Sequence, residues 1–447
     1  MSVVLRPYQQ AGVDFLVHTR RAILADEPGL GKTAQALVAA NRLGIDRMLV
    51  VAPKTAAGVW ADERDTWDPY GPEIVIYQGA RRHKQSSLRD SRIFVTNYSL
   101  LRETLSGTYW PLIVWDEAHK LKDRHAKTLF RVVKTYVSAR NHFFLTGSPI
   151  RHSAGDLWPL LNIINPGQWG SYWDFVQEFC SVWHDEFGWH VEGVHNDEAL
   201  RAKLQSIMLR RRKEDELPGL PPKQRQFIPL EMARAQQQAY TQLAQEWVTE
   251  TTTGLLAVPT KLALLTRLRQ LLVHPALIGI DAPSAAFDAL RDQAVTNGEP
   301  IVVYTPFPSV FPLLVDMFDK MHWKHWVVKG GMSPQQMSAN VRSFQLAQEP
   351  ERALFVSLGS AISFTANAAS TSYHLGFDWS PDVNVQAEDR LHRESAGRRK
   401  ANFVLNRYFV HPKTVDSHLR KVLERKTSWA RLILDPEQLL RPAWKDT

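Results

Sequence analysis

Short apolar runs alternate with helix-periodic segments in the first part of the chain. Runs rich in β-branched and aromatic residues are typical of buried strands; they are Arg21–Asp26, Arg47–Ala52, Glu73–Tyr77, Ser91–Thr96, Pro111–Asp116 and His142–Thr146. Between them, Thr33–Asn41 and Ala126–Tyr136 have the period of helices. This alternation predicts a mostly parallel, doubly wound sheet with helices on both faces.

The pattern changes after about residue 155. Residues 154–275 show little strand signal but many helix-periodic segments, which predicts a helical block. This block is rich in tryptophan, and we expect the indole rings to pack in its core rather than to stack on bases; they belong to Trp158, Trp169, Trp173, Trp183 and Trp189.

A second alternating block follows the helical one. Its predicted strands are Ile301–Thr305, Trp326–Lys329, Ala353–Ser357, Tyr373–Phe377 and Phe403–Phe409, and Thr414–Lys426 is a predicted closing helix. The sequence therefore predicts an α/β fold with a first lobe over 1–155, a helical insertion and linker over 156–280, and a second lobe over 281–447. The prolines at 218, 221 and 222 mark the linker.

Length and composition agree with this division. A chain of 447 residues is too long for one core, since single cores stop growing near roughly 250–300 residues. The net charge of +8 favours a polyanionic partner such as nucleic acid. The single cysteine, Cys180, excludes an internal disulfide framework, and we expect it to be a buried apolar residue. No apolar run approaches the roughly 20 residues of a membrane span, so we expect an intracellular protein.

The stretch ILADEPGLGKT resembles a phosphate-binding loop between a strand and a helix. Gly29 and Gly31 would let the backbone approach phosphates, Lys32 would neutralise their charge, and the Thr33 hydroxyl would hold Mg²⁺. Asp26 occupies the position where the general pattern has its first glycine. A turn with a helix cap is the alternative.

A second chemical motif ends a predicted buried strand in the stretch LIVWDEAH. A phosphate loop needs a carboxylate on the metal side, and Asp116 is placed to provide it. Glu117 would orient and deprotonate the attacking water. The alternative is a solvated strand end.

The Asp-Glu-Ala-His sequence and the segments around it resemble the Swi/Snf-type branch of superfamily-two DNA translocases. LRPYQQAGVDFL is similar to the family's adenine-reading segment, with Gln9 at the adenine position, and the family's own loop carries Asp at the position of Asp26. The resemblance covers most of residues 5–393 and implies two RecA-like lobes that use ATP and Mg²⁺.

Further segments resemble the family's DNA-tracking and coupling motifs. VVAPKTAAGVW and VTNYSLL resemble strand-tracking segments, and LTGSPIRHSAG resembles the coupling motif. The resemblance implies nucleic-acid contacts by Lys54, Thr55, Thr96, Asn97, Tyr98, Lys329 and Ser357. It implies coupling roles for His119, Thr146 and Ser148.

DWSPDVNVQAEDRLHR resembles the arginine-finger segment of the family's second lobe. Arg390 and Arg393, expected one turn apart on a helix, would stabilise the charge of the γ-phosphate, and Gln386 would face the same cleft. The alternative is a basic helix face paired with Glu388 and Glu394.

Two features differ from the family, and three basic clusters leave alternatives open. The usually glycine-rich segment before the arginines contains Gly359 alone, and Glu394 begins a departure after them. The basic clusters at 81–84, 210–213 and 398–400 either contact DNA phosphates or are solvated surfaces.

These features together predict an ATP-dependent translocase on duplex or forked DNA, nearest the annealing-helicase subgroup. A strand-separating DNA or RNA helicase and a nucleotide-gated DNA scaffold are the alternatives. We expect a monomer, without membrane association, in the cytoplasm of a bacterial or phage-infected cell.

Overall fold

The computed structural model describes residues 4–67, 74–77, 93–101, 109–122, 139–151, 153–186, 188–252, 254–360, 364–393 and 403–434. The chain divides into two compact units. The first unit is Met1–Pro218 with Lys426–Thr447, and the second unit is Gly219–Arg425. The division lies in the proline-rich linker and cuts through the segment 156–280, which we expected to be a separate insertion.

A seven-stranded sheet with only parallel pairings is the centre of the first unit. The strands of this unit are β1 (Arg21–Leu24), β2 (Met48–Val51), β3 (Ile74–Ile76), β4 (Ile93–Thr96), β5 (Trp110–Asp116), β6 (Ala139–Leu145), β7 (Ser181–Asp185), β8 (Gly188–Glu192) and β9 (Met208–Leu209). The sheet order is β3-β4-β2-β5-β6-β1-β9, and β7 and β8 form a separate antiparallel hairpin.

Helices cover both faces of this sheet, which explains why its strands are largely apolar. The helices are α1 (Pro7–Thr19), α2 (Lys32–Arg42), α3 (Ala57–Trp67), α4 (Trp158–Ile164), α5 (Tyr172–Phe179), α6 (Asp197–Leu204) and α7 (Lys213–Glu216). Val50 and Val114 pack on the same side as α1 and α2. Leu49 and Ile113 pack with α4, α5 and α6 on the opposite side.

The second unit contains a six-stranded sheet in the order β10-β17-β16-β13-β15-β14, again with parallel pairings. Its strands are β10 (Lys223–Pro229), β11 (Val248–Thr251), β12 (Gly254–Ala257), β13 (Ile301–Thr305), β14 (Lys324–Val328), β15 (Arg352–Ser357), β16 (Thr371–His374) and β17 (Val404–Val410). β11 and β12 pair with each other in a small antiparallel hairpin.

The helices that begin in the second unit are α8 (Arg234–Glu246), α9 (Lys261–Val273), α10 (Ala285–Asn297), α11 (Phe311–Lys320), α12 (Pro334–Leu346), α13 (Pro381–Glu388) and α14 (Val415–Leu434). They pack apolar residues on both faces of the sheet. The chain is therefore an α/β protein with two parallel-sheet lobes, as the alternating pattern predicted. Among the described residues, no helix has the length and apolar content needed to cross a membrane.

The prediction of a helical block with buried tryptophans is partly wrong. The residues between 154 and 275 contribute β7 to β12 as well as helices. Trp169 is buried, but Trp173, Trp183 and Trp189 are 38%, 42% and 58% exposed. The exposed rings lie on α5 and the β7–β8 hairpin, where they contact one another or neighbouring histidines instead of a core.

The remaining predictions of local structure have mixed outcomes. Cys180 is buried, as predicted, and burial raises the pKa of its thiol. The predicted helix Ala126–Tyr136 and the basic clusters at 81–84 and 398–400 lie outside the described residues.

Candidate active site

A tight loop joins the end of β1 to the start of α2 in the first unit. Gly29 and Gly31 have left-handed backbones, with φ of 96° and 76°, which side-chain-bearing residues rarely adopt. A Cβ added to Gly31 would also meet the amide of Gln9. The free N–H groups of the first turn of α2 and its dipole make this end of the helix suitable for an anion.

Lys32 lies at the start of α2 and folds back over the loop. Its Nζ donates hydrogen bonds to the carbonyl oxygens of Asp26 at 2.6 Å and Glu27 at 3.3 Å. Burial lowers the pKa of the Lys32 ammonium, while the nearby charges of Glu117, Asp26 and Asp116 oppose that effect. The phosphate loop and the Asp-Glu pair therefore form one electrostatic environment. Thr33 follows Lys32 in the first turn of α2.

Asp116 ends β5 and is held by groups from separate parts of the chain. Its Oδ2 accepts a hydrogen bond from Trp60 Nε1 at 2.9 Å, and its Oδ1 accepts one from the backbone N–H of Glu117 at 3.0 Å. Tyr98 donates its hydroxyl to the Asp116 carbonyl at 2.7 Å. Burial raises the pKa of the Asp116 carboxyl, although Trp60 and Lys32 act in the opposite direction.

Glu117 has a left-handed backbone with φ of 52°, a conformation that is strained for glutamate and recurs at functional sites. Its Oε2 lies 3.2 Å from Nδ1 of the buried His119. The same Nδ1 lies 3.2 Å from Thr146 Oγ1, which accepts the Ser148 N–H at 3.1 Å. The structure thus brings the predicted coupling residues together with Glu117.

The coupling segment also packs directly against the phosphate loop. A Cβ added to Gly147 would lie 2.8 Å from Cδ of Pro28, so this approach requires glycine. Arg151, whose role was not predicted, places Nη2 2.6 Å from His119 Nε2. A change in the loop can therefore reach His119 through contacts within the first unit.

Gln9 lies beside the phosphate loop. Its Nε2 donates to the Leu30 carbonyl at 3.4 Å, and its Oε1 accepts the backbone N–H of Arg6 at 3.0 Å. The amide is therefore fixed next to the loop, although no described contact tests its predicted role toward adenine.

The predicted nucleic-acid contacts of the first unit follow β2 and β4, which are paired strands. Lys54 is exposed, and Thr55 lies in the same short turn, its side chain outside the described set. Thr96 and Asn97 are only 3% and 4% exposed. Of the three side chains that the structure describes here, Lys54 is the exposed one.

Two predicted contacts of the second unit lie at the ends of the paired strands β14 and β15. Lys329 is exposed directly after β14. Ser357 is buried at the end of β15 and donates its hydroxyl to Ser360 Oγ at 2.8 Å. Both residues therefore lie at the same edge of the sheet.

The arginines of the second unit do not lie on a helix, which corrects the prediction. α13 ends at Glu388, and Arg390 and Arg393 follow in a turn. Arg390 is 3% exposed and donates to the Phe364 carbonyl at 3.3 Å. Arg393 is less buried and donates to Thr365 Oγ1 at 3.1 Å.

Other predictions for this region concern the residues around α13. Gln386 is buried within it at 8% exposure. The Glu388 carboxylate, the alternative partner for the arginines, accepts hydrogen bonds from Arg225 at 2.6 and 2.8 Å. Glu394, the other alternative partner, lies outside the described residues.

Sequence reasoning missed the residues that support this site. Trp60 orients Asp116, and Arg151 contacts His119. The sequence predicts DNA or solvent contacts for the basic cluster 210–213, whereas Arg210 and Arg211 contact the phosphate loop. Tryptophan and arginine contacts across more than 30 residues have no local sequence signal. The Asp at the first loop position was the one hint that a cation would be needed there.

A parallel sheet with a phosphate loop after one strand and an acidic pair after another is the arrangement of P-loop nucleoside triphosphatases. The sequence model of the SNF2-related domain matches residues 8–277, more than half of the chain. The chain therefore belongs to the SNF2 family of ATPases and helicases.

Individual relatives are distant and longer. YwqA of Bacillus subtilis is 26% identical, with 97% of this chain matching 49% of that protein. The human DNA annealing helicase and endonuclease ZRANB3 is 26% identical, with 94% of this chain matching 40% of that protein. The chain thus spans about half the length or less of these relatives.

Solved structures with a similar fold include the Sulfolobus solfataricus SWI2/SNF2 ATPase core in complex with dsDNA. The two chains are 22% identical with a TM-score of 0.46, and the match covers 97% of this chain and 93% of that one.

Proposed function

We propose that this protein hydrolyses ATP and uses the energy to move along duplex or forked DNA. The observation that carries the proposal is the arrangement of the first unit, where the charges of Asp116 and Glu117 act on Lys32 of the phosphate loop and Glu117 contacts His119, which in turn contacts Thr146. The net charge of +8 and the similarity to a DNA annealing helicase support DNA as the partner.

The phosphate loop binds the polyphosphate of ATP in this proposal. Backbone N–H groups at the start of α2 donate to phosphate oxygens, and the Lys32 ammonium neutralises their charge. Thr33 and Asp116 offer hydroxyl and carboxylate oxygens, the donors that Mg²⁺ prefers, so the residues present fit this ion. Bound Mg²⁺ would neutralise charge that develops on the phosphates.

Glu117 is the proposed general base for the attacking water. Its strained backbone and the contact with His119 hold the carboxylate in one orientation. Because His119 also contacts Thr146, the state of the carboxylate can be transmitted to the segment that packs on the loop.

The nucleic-acid and arginine assignments complete the proposal. Among the DNA backbone contacts predicted for Lys54, Thr55, Thr96, Asn97, Tyr98, Lys329 and Ser357, we assign the direct ones to Lys54 and Lys329, whose side chains are exposed, whereas Thr96, Asn97 and Ser357 are buried. Arg390 and Arg393 are assigned to stabilising phosphate charge in the transition state, and Gln386 to the nucleotide.

Steady-state ATP hydrolysis tests the proposal with wild type and Glu117→Gln. Each protein is assayed without nucleic acid and with single-stranded DNA, duplex DNA, forked DNA and RNA. We expect strong stimulation by duplex or forked DNA, and a fall in kcat of about 10²- to 10⁴-fold in Glu117→Gln because the general base is lost. Binding of a fluorescent ATP analogue should persist in the variant.

Other outcomes would change the conclusion. Stimulation by single strands alone would favour a strand-separating helicase. A rate near zero in all five conditions, with nucleotide binding intact, would favour a nucleotide-gated scaffold and contradict the translocase proposal. Displacement of a third strand from a DNA triplex would show movement along the duplex directly.

A further inference from the structure

The basic segment, Arg210–Lys213, follows β9 and runs beside the phosphate loop. The backbone of this region pairs with that of the loop: Ala25 N–H donates to the Leu209 carbonyl at 2.7 Å, and Glu27 N–H donates to the Arg211 carbonyl at 3.0 Å. The start of the segment therefore runs beside residues 25–27 of the phosphate loop.

Arg211 connects three parts of the loop region. Its Nε donates to Asp26 Oδ1 at 3.0 Å, and its Nη2 donates to Asp26 Oδ2 and, at 2.8 Å, to Gln35 Oε1. Its Nη1 donates to the Tyr8 carbonyl, one residue before Gln9. Asp26 is fully buried, and the Arg211 side chain is 10% exposed. A two-pronged guanidinium–carboxylate pair in this setting fixes geometry as well as charge.

Lys213 reaches the loop from the other end of the segment. Its backbone N–H donates to Glu27 Oε2 at 2.8 Å, and the residue is only 4% exposed. A Cβ added to Gly29 would lie 3.2 Å from Cε and 3.6 Å from Nζ of Lys213. The ammonium group therefore lies against a glycine of the phosphate loop.

The other two members of the segment differ from each other. Arg210 Nη1 donates to the Ala25 carbonyl at 2.9 Å and to the Gly147 carbonyl at 3.3 Å, so it joins the loop to the coupling segment. Arg212 donates instead to both carboxylate oxygens of Asp215, at 2.8 and 2.9 Å. Asp215 lies in α7, which begins directly after Arg212, so Arg212 does not contact the phosphate loop through this pair and is a natural control.

We propose that Arg211 and Lys213 are positioning residues of the nucleotide site, so that this part of the basic segment serves ATP and not DNA. The inference rests on the proposed nucleotide binding. Arg211 acts through Asp26 and Gln35 to hold the loop in its binding shape before the phosphates arrive, which lowers the ordering cost of binding. Lys213 adds positive charge beside Gly29, where partial exclusion of water strengthens its effect on an anion.

The test compares Arg211→Lys, Lys213→Met, Lys213→Arg and the control Arg212→Gln. Arg211→Lys keeps the positive charge but loses the guanidinium that forms two hydrogen bonds to Asp26. Lys213→Met keeps the length of the side chain but loses its charge. We measure the Kd of a fluorescent ATP analogue, the KM and kcat for ATP, and the salt dependence of duplex-DNA affinity. Thermal unfolding without nucleotide reports on folding.

We expect Arg211→Lys and Lys213→Met to weaken nucleotide binding and raise KM by about 10-fold, the factor that corresponds to about 1.4 kcal/mol. Lys213→Arg should recover much of the affinity, and Arg212→Gln should match wild type. The slope of log affinity for DNA against log salt should stay the same in all variants, since none removes a DNA phosphate contact.

The opposite pattern would overturn the proposal. Unchanged nucleotide affinity with a salt slope shallower by about 0.9 per removed charge would assign the segment to DNA. If Arg211→Lys does not fold, Lys213→Met decides alone, and wild-type nucleotide affinity there refutes the proposal. Wild-type protein that binds nucleotide but does not hydrolyse it would contradict the proposed function without affecting this inference, because the Kd is measured directly.

Discussion

Each unit contains a buried carboxylate that pairs with an arginine close in sequence to the division at Pro218. In the first unit Asp26 is fully buried and pairs with Arg211. In the second unit Glu388 is 1% exposed and pairs with Arg225, with Nε 2.6 Å from Oε1. Arg211 and Arg225 are separated by a short stretch of chain. Arg211 contacts the phosphate loop, whereas Arg225 contacts the carboxylate two residues before Arg390, which is assigned to phosphate charge.

We call Asp26 with Arg211 the first clamp, and Glu388 with Arg225 and Lys223 the second clamp. The two clamps differ in what they hold. Asp26 belongs to the phosphate loop itself, and its pair shares Arg211 with Gln35. Glu388 ends α13, two residues before Arg390, and it also receives Lys223 at 3.1 Å. The first clamp therefore shapes a backbone that binds nucleotide, whereas the second fixes the end of a helix. We infer that loss of the first affects nucleotide affinity most and loss of the second affects stability most.

Glu388→Gln should produce the largest change in stability. The substitution removes the negative charge that pairs with Arg225, while Lys223 keeps Asp389. Breaking a fully buried pair typically costs about 3–5 kcal/mol, and because Arg225 is 37% exposed we expect about 3 kcal/mol. Tyr408, which donates its hydroxyl to Glu388 Oε1 at 2.7 Å, keeps an acceptor in the amide oxygen. Denaturant unfolding monitored in the second unit measures the loss.

Asp292→Asn is the matched control, since its carboxylate also pairs with an arginine but is 71% exposed. Its effect should stay within about 0.5 kcal/mol, as is usual for surface substitutions. A loss for Glu388→Gln no larger than that of the control would show that the second clamp contributes nothing to stability.

Acid should weaken the second unit in two pH ranges. Burial alone would raise the pKa of Glu388, but Arg225 and Lys223 outweigh it and lower the pKa to about 2. Because this folded-state pKa lies below the ordinary 4.5, the clamp stabilises the fold above pH 4.5 and loses that contribution as the pH falls toward 2. The shift corresponds to about 3 kcal/mol.

His374 adds the upper range. Burial lowers its pKa from 6.5 to about 4, so the folded state resists protonation that the unfolded state accepts. The stability contributed by neutral His374 is therefore complete above pH 6.5, and it decreases as the pH falls toward 4. Urea unfolding from pH 7.5 to pH 2.5 should show both ranges in wild type and only the upper one in Glu388→Gln. A lower range that persists in the variant would assign it to other carboxyl groups.

The sequence predicted the two sheets and the phosphate loop well because their signals are local. Buried parallel strands are apolar along their length, and a loop with left-handed glycines needs Gly29 and Gly31 at fixed spacing. The clamps were not predictable in the same way. Arg211 meets Asp26 across 185 positions, and Arg225 meets Glu388 across 163. Such pairs follow from the tertiary fold: the cluster with Arg211 is predicted to contact DNA or solvent, and nothing in the sequence singles out Arg225.

The misplacement of the arginines has a related cause. The periodicity of the segment around Arg390 and Arg393 fits a helix, but α13 ends at Glu388. Its carboxylate is held by the two cations of β10, and the chain turns directly after it. The local sequence predicts a helix through Arg393, but the chain leaves the helix at the residue that makes the long-range ion pairs with Arg225 and Lys223.

Lys223→Met should have a smaller effect than Glu388→Gln and tests whether the second clamp acts as a unit. Lys223 Nζ lies 3.1 Å from Glu388 and 3.0 Å from Asp389, but its side chain is 22% exposed and Arg225 keeps both of its bonds to Glu388. We expect a loss of about 1.5 kcal/mol, the lower end of the range for a hydrogen bond to a charged group, because the Lys223 side chain is partly exposed. Combining Lys223→Met with Asp389→Asn gives a double-mutant cycle, measured by denaturant unfolding. A coupling energy near 1 kcal/mol would show that Lys223 also acts through Asp389, the residue before Arg390, whereas additive effects would show that the loss in Lys223→Met comes from the contact with Glu388.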